Sequence, residues 1–297
     1  MIVFSILFLC LLLFFPEVAM AGSKYGASLW LSQLLPTLLP FFIAIRLFDT
    51  CLPRIASRRV FLLTGLLCGY PAGAALVMNQ YEKGLLSVRQ TYFFLGFVNN
   101  PSPMFVLVFC GSQILKLKQE EAFLLFLILT LSSLMGSFLF SLLFRGRQTM
   151  AKPAFSAPLS PVPADSKPEV STLSVQLDNI ILDSFLVLIK IGGYVISFSI
   201  LGQFIQKLLP SGSVSAILLS GSLEITSGIS FLQTAPLSDM IKKVLTMIIL
   251  TFGGISAAAQ TGSILSKSEL SLFPYLLCKG LNSLFAGLLS LFLFRMF

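Results

Sequence analysis

Residues 60–81 read VFLLTGLLCGYPAGAALVMNQY, and residues 91–115 read TYFFLGFVNNPSPMFVLVFCGSQIL. Both stretches are uncharged and apolar enough for a bilayer, and both are interrupted halfway. The first is broken at Gly69-Tyr70-Pro71-Ala72-Gly73, the second at Asn99-Asn100-Pro101-Ser102-Pro103. Proline removes a backbone donor and crowds the preceding turn, and glycine weakens a helix further. In hydrocarbon each freed backbone group costs on the order of several kcal/mol, so such breaks persist only where protein or a wet cavity satisfies them. Two adjacent broken segments therefore point to a buried binding site of the kind that secondary transporters build near the bilayer midplane. The plainer reading is two ordinary spans with packing kinks. It must still find partners for the amides of Asn99 and Asn100.

Composition sets the frame around these stretches. The chain of 297 residues is 56% hydrophobic and 11% charged, with a mean hydropathy of +0.93. That predicts an all-α polytopic membrane protein whose first partner is the lipid bilayer. The net charge of +8 comes from Lys and Arg in short loops between apolar runs, so it sets topology and is not a nucleic-acid footprint. The five cysteines carry no C-x-x-C spacing and there is no histidine. A zinc or haem site, a catalytic triad and a disulfide framework are all disfavoured, and neither cofactor nor metal is expected.

The apolar runs come in a repeated order. Residues 1–21 form a predicted N-terminal transmembrane helix; residues 19–21 resemble a signal cleavage site, but no basic n-region precedes them. A span over 29–48 carries Trp30, Pro36 and Pro40. The arms of the 60–81 piece are about ten residues, or ~15 Å, each, which suits a re-entrant hairpin better than a crossing. The broken 91–115 helix and a clean span at 122–144 complete a first repeat over 28–144. Residues 145–176, rich in proline and serine, read as a flexible cytoplasmic linker. The second repeat, 177–297, has a span at 180–209 and a hairpin at 214–235 interrupted at Leu223-Glu224-Ile225-Thr226-Ser227-Gly228. A helix at 244–266, broken at Gly253-Gly254, and a span at 270–294 follow. Each half thus has the order span, hairpin, broken helix, span.

Charge orients the chain. With the N-terminus inside, the cytoplasmic side collects 11 Lys/Arg and the other side seven. The halves then begin on opposite sides of the cell membrane, which predicts two inverted repeats.

The order of motifs resembles the sporulation integral membrane protein family of the YlbJ type, with its nucleoside-recognition or Gate domain. The likeness is carried by Leu35-Pro36-Thr37-Leu38-Leu39-Pro40-Phe41-Phe42, Gly69-Tyr70-Pro71-Ala72-Gly73-Ala74 and Phe97-Val98-Asn99-Asn100-Pro101-Ser102-Pro103-Met104-Phe105. It continues in Leu223-Glu224-Ile225-Thr226-Ser227-Gly228 and Thr251-Phe252-Gly253-Gly254-Ile255 with Gln260. The Gate domain is in turn similar, more distantly, to the halves of concentrative nucleoside transporters. The resemblance implies helical hairpins and broken helices meeting at a midplane site. The breaks here carry few polar residues, a departure from those transporters that weakens any nucleoside assignment.

The candidate ligand residues are those at the four breaks: Asn99, Asn100, Ser102, Glu224, Thr226, Ser227 and Gln260. The residues that open the backbone there are Gly69, Pro71, Gly73, Pro101, Pro103, Gly228, Gly253 and Gly254. Glu224 is the one carboxylate within an apolar piece, and an acid at a helix centre costs about 2.5–3.5 kcal/mol on insertion scales. It either contacts a ligand or cation, or pairs with Lys190 or Lys279. Ser102 and Thr226 suit hydrogen bonds to the frayed backbone beside them, whereas the amides of Asn99, Asn100 and Gln260 have donors and acceptors to spare.

Two functions fit. The chain is a small-solute permease, taking a small polar solute or a coupling ion, or a non-transporting scaffold of spore-envelope assembly. An enzyme is disfavoured, because only a Ser–Lys pair using Lys190 is at hand and no oxyanion motif accompanies it. An oligomer is left open.

Overall fold

The computed structural model describes residues 2–51, 64–144, 173–210, 212–266 and 268–296. The cytoplasmic linker expected at 145–176 falls, up to residue 172, outside the described residues, as do Arg54, Arg58 and Arg59. The described residues form an all-α bundle. Its helices are α1 (Ile2–Phe14), α2 (Pro16–Leu29), α3 (Leu35–Cys51), α4 (Ala72–Glu82), α5 (Val88–Val98), α6 (Phe105–Ile114) and α7 (Gln119–Leu143). After the linker come α8 (Leu173–Leu208), α9 (Val214–Leu223), α10 (Ile225–Thr234), α11 (Asp239–Phe252), α12 (Gly254–Leu265) and α13 (Leu272–Met296).

Five helices among the described residues are long and apolar enough to cross a membrane: 16–47, 119–143, 177–208, 239–265 and 272–295. The surface of α7 shows the membrane pattern directly. Phe123, Leu127, Leu131, Leu134, Phe138 and Leu142 are exposed, while Ser132, Ser133, Gly136 and Ser137 are buried. Without water there is no hydrophobic drive between helices, so the small and weakly polar residues let the helices approach closely, alongside buried Leu125, Ile128, Leu129 and Phe140, while the outer apolar stripe faces lipid. The same rule joins α2 to α8. A Cβ at Gly22 would stand 2.5 Å from Ile200 Cα, and one at Gly26 2.8 Å from Ile196 Cα, so the two backbones touch through a glycine pair four residues apart.

One boundary departs from expectation. The helix expected over 1–21 is divided at Phe15, which leaves helical geometry (φ −131°, ψ 59°) ahead of Pro16 at the first position of α2. Proline disfavours helical backbone in the residue before it and is well placed at a helix start, so the spanning helix begins at Pro16. It then runs through a π-helical turn, Trp30–Leu34, into α3, which keeps Pro40 inside it. The span expected at 29–48 is therefore the second half of a longer one. Trp30, at the start of that π-helical turn, donates from Nε1 to the Leu188 carbonyl of α8 at 2.9 Å.

The short pieces match their sequence signals. Helices α9 and α10 are ten residues each and are separated by Glu224 alone, in extended geometry (φ −148°, ψ 125°). A Cβ at Gly228 would overlap the Gly221 backbone, so the chain folds sharply back at that turn. Gly253 and Gly254 both have positive φ, +88° and +75°, a conformation that side chains disfavour; Gly253 separates α11 from α12 and Gly254 opens α12. In the first half, a helical turn at 64–68 ends at Gly69 (φ +67°), ahead of α4. Asn99 to Pro103 separate α5 from α6, which is itself π-helical.

Candidate functional site

The four breaks are docked on one another. Tyr70 donates its backbone N–H to the Asn100 carbonyl at 3.1 Å, joining the break before α4 to the break after α5. Gly69 is needed there, because a Cβ would lie 2.7 Å from Ser102 N. In the second half Gly254 sits under the hairpin turn, where a Cβ would lie 3.2 Å from the carbonyl oxygens of Gly221 and Leu223. Tyr70 bridges the two halves: its hydroxyl donates to the Leu250 carbonyl at 3.4 Å, beside Gly253.

A cavity of about 60 Å³ opens where these breaks meet, room for a handful of waters. Its polar groups come from Tyr70 and Ser102 of the first half and from Glu224, Thr226, Ser256 and Gln260 of the second; Leu34, Leu38, Phe42, Phe105, Ile191 and Val195 form the apolar wall. Four of the expected ligand residues, Ser102, Glu224, Thr226 and Gln260, thus share one cavity. The break residues Pro101 and Gly253 line it as well.

Glu224 is 2% exposed, and its carboxylate caps α10. Oε1 accepts from Thr226 N at 2.9 Å, and Oε2 accepts from Ser227 N at 2.7 Å and Ser227 Oγ at 2.9 Å. The positive end of the α10 dipole adds to these bonds. Among the described residues Glu224 is in no ion pair, so of the two readings open from sequence the pairing with Lys190 or Lys279 is not the one formed. Lys190 is exposed on α8. Lys279 is fully buried and committed elsewhere, donating to Asn100 Oδ1 at 2.6 Å and to the Asn99 carbonyl at 3.4 Å, with Nζ 5.9 Å from the centre of the Tyr70 ring. Backbone donors and a helix dipole do for Glu224 what a paired lysine would have done.

Asn99, Asn100 and Ser227 stand behind the cavity wall. Asn99 Oδ1 accepts from Ala74 N at 3.2 Å, and its Nδ2 donates to Thr261 Oγ1 at 2.9 Å and to the Tyr275 hydroxyl at 3.0 Å. One amide therefore ties α4, α12 and α13 to the end of α5. Asn100 Nδ2 donates to the Phe97 carbonyl at 2.8 Å while its oxygen holds Lys279. Ser227 is spent on Glu224, and Ser102 Oγ accepts from Phe105 N at 3.3 Å as well as facing the cavity.

Tyr70, Tyr275 and Thr261 were not singled out from sequence as site residues, and Lys279 was named only as a candidate partner of Glu224. The signal for Lys279 was a lone cation inside an apolar run; Tyr275 and Thr261 carried none.

No family profile and no solved structure matches the chain. The sequence is similar to the Sporulation integral membrane protein YlbJ of Bacillus subtilis (strain 168), with 23% identity over 94% of this chain and 78% of the relative. The breaks at 69–73, 99–103, 223–228 and 252–254 lie within a match of that length. The chain is therefore a multi-pass, all-α integral membrane protein related along nearly its whole length to the YlbJ type of sporulation membrane protein.

Proposed function

We propose that the chain is a small-solute permease of Gate type, built from two inverted repeats that each carry a re-entrant hairpin and a broken helix. The observation that carries this reading is the convergence of four backbone breaks, two from each half, on one cavity that holds a carboxylate and an amide. Irregular backbone at membrane depth is tolerated where it lines a cavity, and transporters use it to reach substrates and ions. A solute bound there would present a donor or a cation to Glu224 and an apolar flank to Leu38 and Phe42. At about 60 Å³ the cavity holds waters only, so loading a solute requires one hairpin to move against its broken helix. No covalent chemistry enters this reading.

Accessibility tests it. With the five native cysteines replaced, single cysteines at Gln260 and Ser102 are labelled with a membrane-impermeant maleimide from each side of sealed vesicles. A permease gives labelling from both sides. A position that is never labelled, from either side, refutes alternating access.

A second reading rests on the printed name of the relative, which gives a process and no solute. In it the chain is a scaffold in spore-envelope assembly, and the same labelling experiment supports it by giving none.

A further inference from the structure

A second pocket lies at one end of the bundle, apart from the cavity at the breaks. Its volume is about 460 Å³, and it is formed by the loop after α6, the starts of α7 and α11 and the end of α10. Three lysines line it: Lys116, Lys242 and Lys243. The carboxylates on its wall are Glu121 and Asp239. Glu121 is already taken, with Oε1 2.5 Å from Lys243 Nζ, and Lys243 also faces the Phe294 ring at 5.1 Å. Lys116 and Lys242 are in no ion pair among the described residues, so only Asp239 offsets their two charges.

Three further observations bear on this pocket. Lys116 has φ +54°, the one positive value outside glycine among the described residues, and a residue with a Cβ disfavours that conformation. Helices α7 and α11 both start here, so the positive ends of two dipoles meet at the pocket. Charge bookkeeping along the chain makes the third point. Lys116, Lys118, Lys242 and Lys243 are four of the seven basic residues on the side that the Lys/Arg count assigns to the outside, where topology alone favours few. Their clustering therefore asks for another cause.

We propose that this pocket binds a phosphate-bearing anion through Lys116 and Lys242. Ammonium groups recognise phosphate as point charges, and the mouth lies at the ends of spanning helices, at headgroup depth. The shared chemistry is that of an anionic lipid headgroup or of free phosphate. Gln233, at the end of α10, supplies an amide to either.

The test uses the full-length protein in detergent and reads lipid retention by native mass spectrometry. Phosphatidylglycerol is expected to be retained about tenfold or more over phosphatidylcholine, with the preference lost in the double variant Lys116→Gln/Lys242→Gln and kept in Lys207→Gln. Millimolar inorganic phosphate added to the wild type separates the sources: displacement of phosphatidylglycerol assigns the site to free phosphate, and no displacement assigns it to the headgroup. Equal retention of the two lipids by the wild type, together with no stabilisation by phosphate in a thermal melt, overturns the proposal without any variant. A folded double variant that keeps the preference overturns it too.

Discussion

Replacing Asn99 by leucine tests whether the first break is held by a buried hydrogen-bond clamp. The side chain is fully buried and makes bonds at 3.2, 2.9 and 3.0 Å to Ala74 N, Thr261 Oγ1 and the Tyr275 hydroxyl. Leucine has nearly the same shape, so the loss is in polarity and not in volume. Ala74 N lies in the first turn of α4, beyond reach of the intrahelical ladder, and is left unsatisfied at a cost of about 1–3 kcal/mol. The two lost interhelical bonds add about 0.6 kcal/mol each, the average measured for such bonds inside membranes. The sum is roughly 2–4 kcal/mol. Equilibrium unfolding in mixed micelles measures it, and a double-mutant cycle with Tyr275→Phe isolates the part shared between α5 and α13. Tyr275→Phe is expected to cost less in the Asn99→Leu background than in the wild type. A loss for Asn99→Leu below about 0.5 kcal/mol, or strict additivity of the two changes, would refute the clamp.

Glu224→Ala uncaps α10 and is expected to cost about 0.5–2 kcal/mol, with no rescue by Lys279→Met; recovery of stability in the double variant would revive the ion pair that the geometry excludes. Gly228→Ala forces a methyl into the Gly221 backbone and is expected to lose about 1–3 kcal/mol or the folded protein altogether. By contrast Gly280→Ala, where a Cβ meets nothing within 4 Å, is expected to be neutral or to stabilise by up to about 1 kcal/mol, and equal folded yields of the two variants would contradict the close approach. Removing about ten residues from within 151–169 is expected to leave membrane insertion unchanged, and a reporter at the C-terminus that changes sides or signal would count against a solvated linker.

The breaks were legible because the chemistry that makes them is local. Pro71, Pro101 and Pro103 and the glycines at 69, 253 and 254 act on their own turns, so position in the chain is enough to place them. The cavity itself was half legible. Ser102, Glu224, Thr226 and Gln260 face it, as polar residues beside breaks are expected to do. The roles of Asn99 and Asn100 were hidden, since their partners Thr261, Tyr275 and Lys279 lie 162 to 179 residues away and periodicity carries no record of long-range pairing. A buried amide needs partners, but sequence does not say whether protein or ligand provides them. The division at Phe15 was missed for a different reason: the apolar run continues across it, and only the backbone preference ahead of Pro16 marked the change.

Lys279 has a consequence for how the protein is made. A lysine inside a spanning helix costs about 2.5–3.5 kcal/mol on insertion scales when the helix enters lipid alone. Its acceptors, Asn100 Oδ1 and the Asn99 carbonyl, precede it by 179 and 180 residues. At about 5–20 residues per second the ribosome delivers them roughly 10–40 s earlier. By the time α13 leaves the translocation machinery, a bilayer-embedded acceptor for its ammonium has already been built. Chain order thus lets a helix with a buried lysine insert against a waiting partner, whereas a circular permutant that placed α13 first would present that charge to lipid unaccompanied.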